Sequence, residues 1–448
     1  MKLNLNLNSK VVILGGGLAG ISTAYYLIKS GFKNITLFEA SGSLRGLVAS
    51  HKVDNDLTIE NFYHHLFTSD RYILDLIKEL NLSKKLKFKR VLTSHLVNNK
   101  IYKFGSLKDI LSTEIFNLPD KFRFLFILAL IKLLPENIIY SYRGSALSMS
   151  KKFFGRKINR LIWEPLLIKK FSNSYSIVPS SWLFARIKCR TPQLGYIDGS
   201  FDLFSKKLLK IVNDSGVEIK LNSPIKKVEF KESKFLISTE GEPYKKFEYD
   251  IAIMSTPQIV SNEILSNNIK HLSRESYEYL SATCVLIYLD ESPFQDYWVN
   301  YCDHDTKALA VINHNAILNK KDYLKYPIYV AYYHANTEKL FKKECHDLLI
   351  KDSIETLKKV CYLRNKKLPR FNKEEIKIFQ GLNAQPIIDP FIKDKSYSNK
   401  FSYQPIQPKE NFPLFFSNMH CIFPQDRGQN YSIKISKKVS KKVRKLIN

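Results

Sequence analysis

The feature that most constrains the fold is an apolar run, a glycine-rich turn and a helical pattern in direct succession near the start of the chain. Lys10–Leu14 is a short apolar run, Gly15–Gly20 interrupts it, and apolar residues then recur at helical spacing up to Ile28. Ile35–Glu39 has the composition of a second strand, and Glu39, at its end, lies 19 residues after Gly20. This order predicts a βαβ unit that binds a dinucleotide.

The glycine-rich turn has the spacing G-x-G-x-x-G, and each glycine has a separate expected role. Gly15 permits the tight turn, Gly17 lets the backbone approach a pyrophosphate, and Gly20 allows the helix to pack closely on the strand. The N–H groups of Leu18 and Ala19, at the start of the helix, are expected to face the phosphates. Glu39 is expected to accept hydrogen bonds from an adenosine ribose. A glycine turn in an α/β domain that binds no nucleotide is the alternative.

Length and pattern together predict two domains. A chain of 448 residues is too long for one ordinary core. From about Ser69 to Arg190 the apolar spacing is mostly helical, whereas strand patterns dominate after Gly195. Near the end, Leu414–Ser417 resembles a strand, and the residues from Gln429 onward have helical spacing with a basic face. A membrane-surface tail is the alternative interpretation of that basic face.

Charge and cysteine content say less about function than the glycine-rich turn does. The net charge is +28, but the lysines are spread along the whole chain, which does not favour a nucleic-acid-binding face. The six cysteines show no C-x-x-C spacing, so neither a metal site nor a disulfide framework is expected. The first residues lack the apolar core of a signal peptide, and Phe124–Ile131 is too short to span a bilayer. We therefore expect a cytoplasmic protein, with peripheral contact at the inner membrane as an alternative.

Beyond Glu39, the segment Ala40-Ser-Gly-Ser-Leu-Arg-Gly-Leu47 resembles the superfamily of FAD-dependent amine oxidases, protoporphyrinogen oxidases and phytoene desaturases. In that superfamily two adjacent glycines follow the ribose-binding acid and help to wrap the FAD pyrophosphate. Here Arg45 takes the first glycine position and Gly46 the second. Arg45 either donates to a phosphate or marks a reshaped loop. The resemblance implies FAD as the cofactor.

Further motifs extend this resemblance along most of the chain. Pro224–Val228 is similar to a strand that contacts the adenine through its backbone, and Ser255-Thr256-Pro257 is similar to a turn at the FAD domain. The stretch from Asn418 to Tyr431 is similar to the closing flavin motif, in which a helix N-terminus faces the flavin. Asn418-Met419 replaces the usual Gly-Asp, which puts an acid contact to the ribityl chain in doubt. The residues assigned to the cofactor by this motif are Asn418, Met419, Asp426, Arg427, Gly428, Asn430 and Tyr431.

Two other segments concern the substrate. Asn61-Phe-Tyr-His64-His65 resembles a segment of UDP-galactopyranose mutases, and His65 takes the place of their flavin-adjacent histidine, which makes it the candidate catalytic residue and His64 a cofactor contact. A structural histidine is the alternative. Trp163–Phe171 resembles a segment of similar flavoproteins, in which Glu164 and Lys169 either face the substrate or form a solvated pair on a helix.

The sequence as a whole predicts an α/β protein with a Rossmann-like FAD-binding domain and a mixed-sheet and helical substrate domain. We expect residues 1–70, 194–262 and 410–448 in the FAD domain and residues 71–193 and 263–409 in the substrate domain. The expected activity is hydride transfer from a substrate C–H or C–N bond to the flavin. Two alternatives stay open, namely a flavin-dependent UDP-sugar mutase and a flavin-binding or basic nucleic-acid-binding protein without turnover. The expected partner is a small molecule that is anionic or linked to a lipid or sugar, with no nucleic acid.

Overall fold

The structure is a computed structural model that describes residues 4–53, 57–240, 246–273, 278–318, 325–387, 405–425 and 428–447. All statements below on its elements refer to those residues. The strands are, in chain order, β1 (Val11–Leu14), β2 (Ile35–Phe38), β3 (Ser50–Lys52), β4 (Thr58–Glu60), β5 (Leu66–Phe67), β6 (Leu86–Arg90), β7 (Thr93–Val97), β8 (Lys100–Lys103), β9 (Gln193–Ile197), β10 (Glu218–Lys220), β11 (Ile225–Lys231), β12 (Lys234–Thr239), β13 (Lys246–Tyr249), β14 (Ile251–Met254), β15 (Tyr279–Leu289), β16 (Trp298–Tyr301), β17 (Ala310–Asn313), β18 (Tyr326–Ala335), β19 (Lys377–Pro386) and β20 (Leu414–Phe416).

The α-helices are α1 (Leu18–Lys29), α2 (Arg71–Glu79), α3 (Leu107–Ser112), α4 (Leu118–Leu133), α5 (Glu136–Ser141), α6 (Ala146–Phe153), α7 (Arg156–Ile158), α8 (Glu164–Phe171), α9 (Ser180–Cys189), α10 (Ser200–Asp214), α11 (Gln258–Ile264), α12 (Asn267–Lys270), α13 (His346–Leu363) and α14 (Gln429–Lys445). A π-helical turn, Asn159–Trp163, joins α7 to α8.

A five-stranded parallel sheet in the order β10-β2-β1-β14-β20 forms the base of the cofactor region. Successive side chains of β1 face opposite sides of this sheet, as strand geometry requires. Val11 and Ile13 pack in one cluster with residues of α1, α10 and α14, whereas Val12 and Leu14 pack in another with residues of β11 and β12. The sheet is therefore covered by helices on one face and by the antiparallel sheet β11-β12-β13 on the other. The predicted βαβ unit and its parallel pairing are confirmed.

A second, mixed sheet has seven strands in the order β19-β15-β18-β17-β16-β7-β8. Its neighbouring strands are antiparallel except for β16 and β7, which are parallel. Along β15, Val285 and Ile287 pack with residues of α13, while Cys284 and Leu286 lie on the opposite side, in the core cluster that continues to the parallel sheet. This alternation places one face of the mixed sheet toward the cofactor region.

The expected helical region between Ser69 and Arg190 is helical in most of its length, with one correction. The strands β6, β7 and β8 interrupt it, and β7 and β8 complete one edge of the seven-stranded sheet. The apolar runs in β6, β7 and β8 are short, and a short apolar run does not distinguish a strand from a helix unless its pairing partners are known. The proposed domain bounds stay a prediction.

The last helix, α14, packs its apolar face on the protein. Ile435, Val439 and Val443 are buried in the cluster that contains α1, and Lys438, Lys441 and Lys442 are exposed. The basic run is thus the solvated face of a packed helix. No helix in the described part of the chain is long and apolar enough to cross a membrane.

Candidate flavin site and substrate cavity

One large cavity, of about 1230 Å³, lies between the parallel sheet, the mixed sheet and the helices of the region 107–190. The glycine-rich turn forms one end of its wall. A Cβ atom added to Gly20 would lie 2.0 Å from the backbone oxygen of Gly15, and Gly15 itself has φ +110°, so neither position accepts a side chain. A Cβ atom on Gly17 would instead meet no protein atom within 4 Å, because Gly17 borders open space. This is the geometry expected where a pyrophosphate approaches the backbone.

Glu39 lies on the cavity wall at the end of β2. Its Oε2 accepts a hydrogen bond from the backbone N–H of Gly16 at 2.7 Å, and its Oε1 accepts from the backbone N–H and the hydroxyl of Ser41 at 2.9 and 2.8 Å. These bonds hold the carboxylate in one orientation beside the turn. Since each carboxylate oxygen has two acceptor positions, Oε2 keeps one for a further donor such as a ribose hydroxyl.

Arg45 retains the backbone conformation of the glycine that it replaces. Its φ is +100°, its N–H donates to the carbonyl oxygen of Gly16 at 2.8 Å, and it bridges to Gly17. Its guanidinium pairs with Asp202, a buried residue in the first turn of α10 that also pairs with Lys206 at 2.6 Å. Burial lowers the pKa of Arg45. The structure therefore shows an internal ion pair that anchors the loop to α10, and Gly46 follows with φ +53°.

His65 lies on the cavity wall just before β5. Its Nδ1 is 2.8 Å from the hydroxyl of Tyr297, which is fully buried, and its ring packs edge-on against Trp298. Burial, together with the positive charge of Arg190, lowers the pKa of His65 well below its usual value. The imidazole is therefore neutral near pH 7, and its Nδ1 is occupied by the contact with Tyr297.

The segment after β20 closes the same cavity. The Oδ1 of Asn418 accepts from the N–H of His420 at 3.1 Å, and its Nδ2 donates to Gln258 at 2.9 Å. Gly428 has φ +125° and precedes α14, whose first turn lines the cavity. The Oδ1 of Asn430 accepts from the N–H groups of Tyr72 and Ile73, so it also caps α2. Asp426 and Arg427 lie outside the described residues.

The structure brings most of the predicted cofactor residues together on this cavity. Those that line it are Gly15, Gly17, Leu18, Ala19, Glu39, Ala40, Arg45, Gly46, Leu47, His64, His65, Ser255, Thr256, Asn418, Met419, Gly428, Asn430 and Tyr431. Gly20 instead packs against Gly15 behind the wall. Val228 is buried between the sheets, and its carbonyl oxygen accepts from Ser266, while Ser223, Pro224 and Ile225 of the same segment line the cavity.

The far part of the cavity contains residues that the sequence analysis did not identify. Trp163, Leu166, Leu167 and Lys170 line it. Lys170 donates to Gln385 Oε1 at 2.8 Å and lies 4.5 Å from the ring centre of Tyr333. The spacing of these four residues is that of one helix face, and this signal could have pointed to Lys170.

Lys169, by contrast, points out of the cavity. It donates to the backbone oxygens of Thr306 and Ala308 at 3.0 and 2.9 Å, and burial lowers its pKa to about 8. Glu164 does not line the cavity either and accepts a hydrogen bond from Asn159. Both expectations for this pair need correction, because Lys169 is neither a substrate contact nor a solvated surface residue.

The comparisons with known proteins agree with this arrangement. The family model of flavin-containing amine oxidoreductases matches residues 18–311. A 15-cis-phytoene desaturase of Capsicum annuum is 26% identical over 293 residues, which cover 59% of this chain and 49% of that protein, so the chain spans about half the length of the curated relatives it matches.

Two solved structures share the fold. A reduced UDP-galactopyranose mutase superposes with a TM-score of 0.73 at 14% identity and covers 97% of this chain and 95% of its own. Cyclohexylamine oxidase from Brevibacterium oxydans IH-35A superposes with a TM-score of 0.70 at 10% identity, and the superposition covers 98% of this chain and 99% of that enzyme. At such identities the likeness concerns the fold. Together with the sequence match, these findings show that the chain belongs to the family of flavin-containing amine oxidoreductases.

Proposed function

We propose that the protein is an FAD-dependent oxidoreductase that removes a hydride from a C–H bond of a largely apolar small molecule, including a C–H bond next to an amine nitrogen. The observation that carries this proposal is the continuity of the cavity. The same space that borders Gly17 and Glu39 extends to an apolar region between the mixed sheet and the helices. A dinucleotide at one end and a substrate at the other would thus share one water-poor site.

The residues at the first end fit the dinucleotide. Gly17 leaves room for a pyrophosphate at the N-terminus of α1, Glu39 offers an acceptor for a ribose hydroxyl, and the first turn of α14 favours negative charge in the group bound beside it. Bound FAD would supply the hydride acceptor, so the protein needs to position the substrate rather than to perform the electron transfer.

The residues at the other end fit an apolar substrate. Phe104, Ile110, Phe124, Leu128 and Trp182 are among the side chains that line it. These side chains bind apolar surface and exclude water from the reacting bond. The relative named 15-cis-phytoene desaturase suggests desaturation at a C–H bond as the reaction class.

His65 is the candidate proton-transfer group. Its neutral imidazole exchanges a proton only through the nitrogen that does not contact Tyr297, because Nδ1 is held by that hydroxyl. Two tautomers satisfy the contact, and they would make Nε2 either a donor or an acceptor toward the substrate.

The test is to purify the protein, add FAD and record its absorbance with apolar amines, polyenes and other alkyl substrates in the absence of oxygen. Loss of the oxidised flavin absorbance on addition of one substrate, with stoichiometric formation of its oxidised product, is the expected result. A folded protein that binds no FAD contradicts the proposal. A protein that binds FAD but is reduced by none of these compounds favours the alternative without turnover.

A UDP-sugar mutase is the second candidate, supported by the resemblance of the His64-His65 segment and by the shared fold with a reduced mutase. Lys132, Lys170, Arg186 and Arg190 line the cavity and are cations of the kind that a nucleotide diphosphate needs, but most of the lining is apolar, which favours the oxidoreductase proposal. Interconversion of UDP-galactopyranose and UDP-galactofuranose by the dithionite-reduced protein, without net oxidation, would replace the oxidoreductase proposal.

A further inference from the structure

The helices α3 and α4 carry an unusual apolar surface. In the described part of the chain, most of the large apolar side chains that are exposed fall between residues 107 and 138. On α4 they form one stripe, which contains Leu118, Phe122, Phe126 and Leu133, and the last three are 64%, 63% and 80% exposed. We call Leu107, Leu111, Leu118, Phe122, Phe126, Leu133 and Ile138 the apolar face. Contiguous exposed apolar surface of this kind usually marks a binding site.

The opposite side of α4 explains why the helix is stable despite this exposure. Phe124 and Ile131 are buried in the cluster that also contains Phe154 and Trp182. The helix is thus held by its inner face, and the apolar face is not needed for the core. Its exposed phenyl and isobutyl groups cost free energy in water that a suitable partner would recover.

Positive charge lies beside the apolar face. Residues 101–160 contain eleven Lys or Arg against four Asp or Glu. Arg123, next to Phe122, donates to the carbonyl oxygens of Lys152 and Phe153 at 2.6 and 2.7 Å, which places the exposed Lys151 and Lys152 at the end of α6 beside α4. Exposed apolar side chains flanked by cations are complementary to an anionic lipid surface, whose acyl region accepts the former and whose head groups attract the latter.

The cavity wall reaches this same surface. Leu107, Leu125 and Leu128, on α3 and α4, line the cavity, and Leu107 is also 62% exposed. One side chain therefore belongs both to the cavity wall and to the apolar face. A molecule that enters past Leu107 would pass from the apolar face directly into the apolar end of the cavity.

We propose that the apolar face rests on an anionic lipid surface and that the cavity receives an apolar substrate from the lipid. The second part rests on the proposed function, whereas the docking does not. The helix α4 would lie in the plane of the interface with Phe122 and Phe126 in the acyl region, while Arg123, Lys151 and Lys152 contact the head groups. Docking in this orientation places Leu107, and the cavity wall to which it belongs, against the lipid.

The experiment is flotation of the purified full chain with vesicles of phosphatidylcholine alone and of phosphatidylcholine mixed with phosphatidylglycerol. The variant Phe122→Asp/Phe126→Asp removes the centre of the apolar face, and Leu348→Asp/Tyr362→Asp is the matched control, since both of its residues are exposed apolar side chains on α13, outside the apolar face. We expect binding to the mixed vesicles, loss of at least about tenfold in partition for the first variant, and an unchanged partition for the control. Binding to the mixed vesicles should weaken as salt is added.

Three outcomes overturn the proposal. They are absence of wild-type binding to mixed vesicles, equal binding of the Phe122→Asp/Phe126→Asp variant, and a wild-type dimer in light scattering that this variant disrupts, which would make a second copy of the chain the partner. All three proteins are checked by circular dichroism and thermal unfolding, so misfolding is recognised. FAD absorbance of the floated fractions separates the docking on lipid from the FAD-dependent function. A protein that docks but carries no FAD contradicts only the proposed function.

Discussion

The Nδ1 atom of His65 lies 2.8 Å from the hydroxyl of Tyr297, a residue that belongs to the substrate side of the cavity and is fully buried. His65 precedes β5, whereas Tyr297 precedes β16 of the seven-stranded sheet. The contact therefore joins the histidine beside the candidate flavin site to the sheet that covers it. It occupies Nδ1, so Nε2 is the nitrogen through which the imidazole would exchange a proton.

Replacement of this hydroxyl should affect the reaction more than the fold. Tyr297→Phe removes one hydrogen bond, at a cost of about 1 kcal/mol in unfolding free energy. If His65 transfers a proton, His65→Gln should slow flavin reduction by the substrate about 100-fold or more, and Tyr297→Phe by a smaller factor. Anaerobic stopped-flow absorbance measures both rates. Unchanged rates in both FAD-loaded variants would make His65 a structural residue.

Two glycines of the turn should respond differently to alanine. In Gly17→Ala the new methyl group meets no protein atom, so the protein should unfold at the wild-type temperature but bind FAD at least about tenfold more weakly. In Gly20→Ala the methyl group would lie 2.0 Å from the Gly15 oxygen, so thermal stability should fall. Fluorescence titration with FAD and calorimetry give the two quantities. Wild-type FAD affinity in Gly17→Ala would contradict the site.

Arg45→Gly tests whether the unusual residue serves the loop or the cofactor. Glycine relieves the strain of φ +100°, worth about 1 kcal/mol, but it also removes one of the two cationic partners of the buried Asp202 and leaves only Lys206, which should cost more. We expect a net loss of about 1 to 2 kcal/mol in urea unfolding and an FAD affinity within about fivefold of wild type. The double variant with Asp202→Asn should recover part of the stability. A large loss of FAD affinity at unchanged stability would instead indicate a phosphate contact.

Replacement of the two adjacent lysines of α8 should have different effects, since Lys169 supports the fold and Lys170 lines the cavity. Lys169→Met leaves the carbonyl oxygens of Thr306 and Ala308 without their donor, and each such loss costs about 1 to 3 kcal/mol when buried. Lys170→Met alters the cavity wall instead, so substrate affinity or the rate of flavin reduction should change while the unfolding temperature stays closer to that of wild type. Equal unfolding temperatures of the two variants, with wild-type turnover in Lys170→Met, would contradict this division.

The stability of the protein should fall between pH 6.5 and pH 5. Burial lowers the pKa of His95 to about 3 and that of His420 to about 4, so below pH 6.5 the unfolded chain binds protons that the folded protein does not. Each histidine then costs about 2 kcal/mol at pH 5. Asp70 opposes this, because burial raises its pKa to about 6 and the folded protein binds its proton first, but its effect at pH 5 is only about 1.4 kcal/mol.

Calorimetry at a series of pH values measures this trend. His95→Gln removes one of the titrating groups and should reduce the pH dependence in this window. A protein that becomes more stable between pH 6.5 and pH 5 would show that the buried histidines do not dominate.

The sequence alone determined the local features of the cofactor region. The spacing of Gly15, Gly17 and Gly20 and the position of Glu39 are set by contacts within one βαβ unit, and such contacts leave a readable pattern. The helix after Gly428 and its buried apolar stripe were likewise predicted, since amphipathic spacing is a local signal.

Only the tertiary structure decided the features that depend on residues far apart in the chain. Arg45 left two interpretations open until α10 brought Asp202 to its guanidinium, 157 residues along the chain. The strand β7 was hidden in a helical region because its pairing with β16 is non-local, and β8 joins the sheet only through β7. Lys170 rather than Lys169 faces the cavity because the phase of a helix face depends on what packs beside it, and no sequence pattern specifies that neighbour.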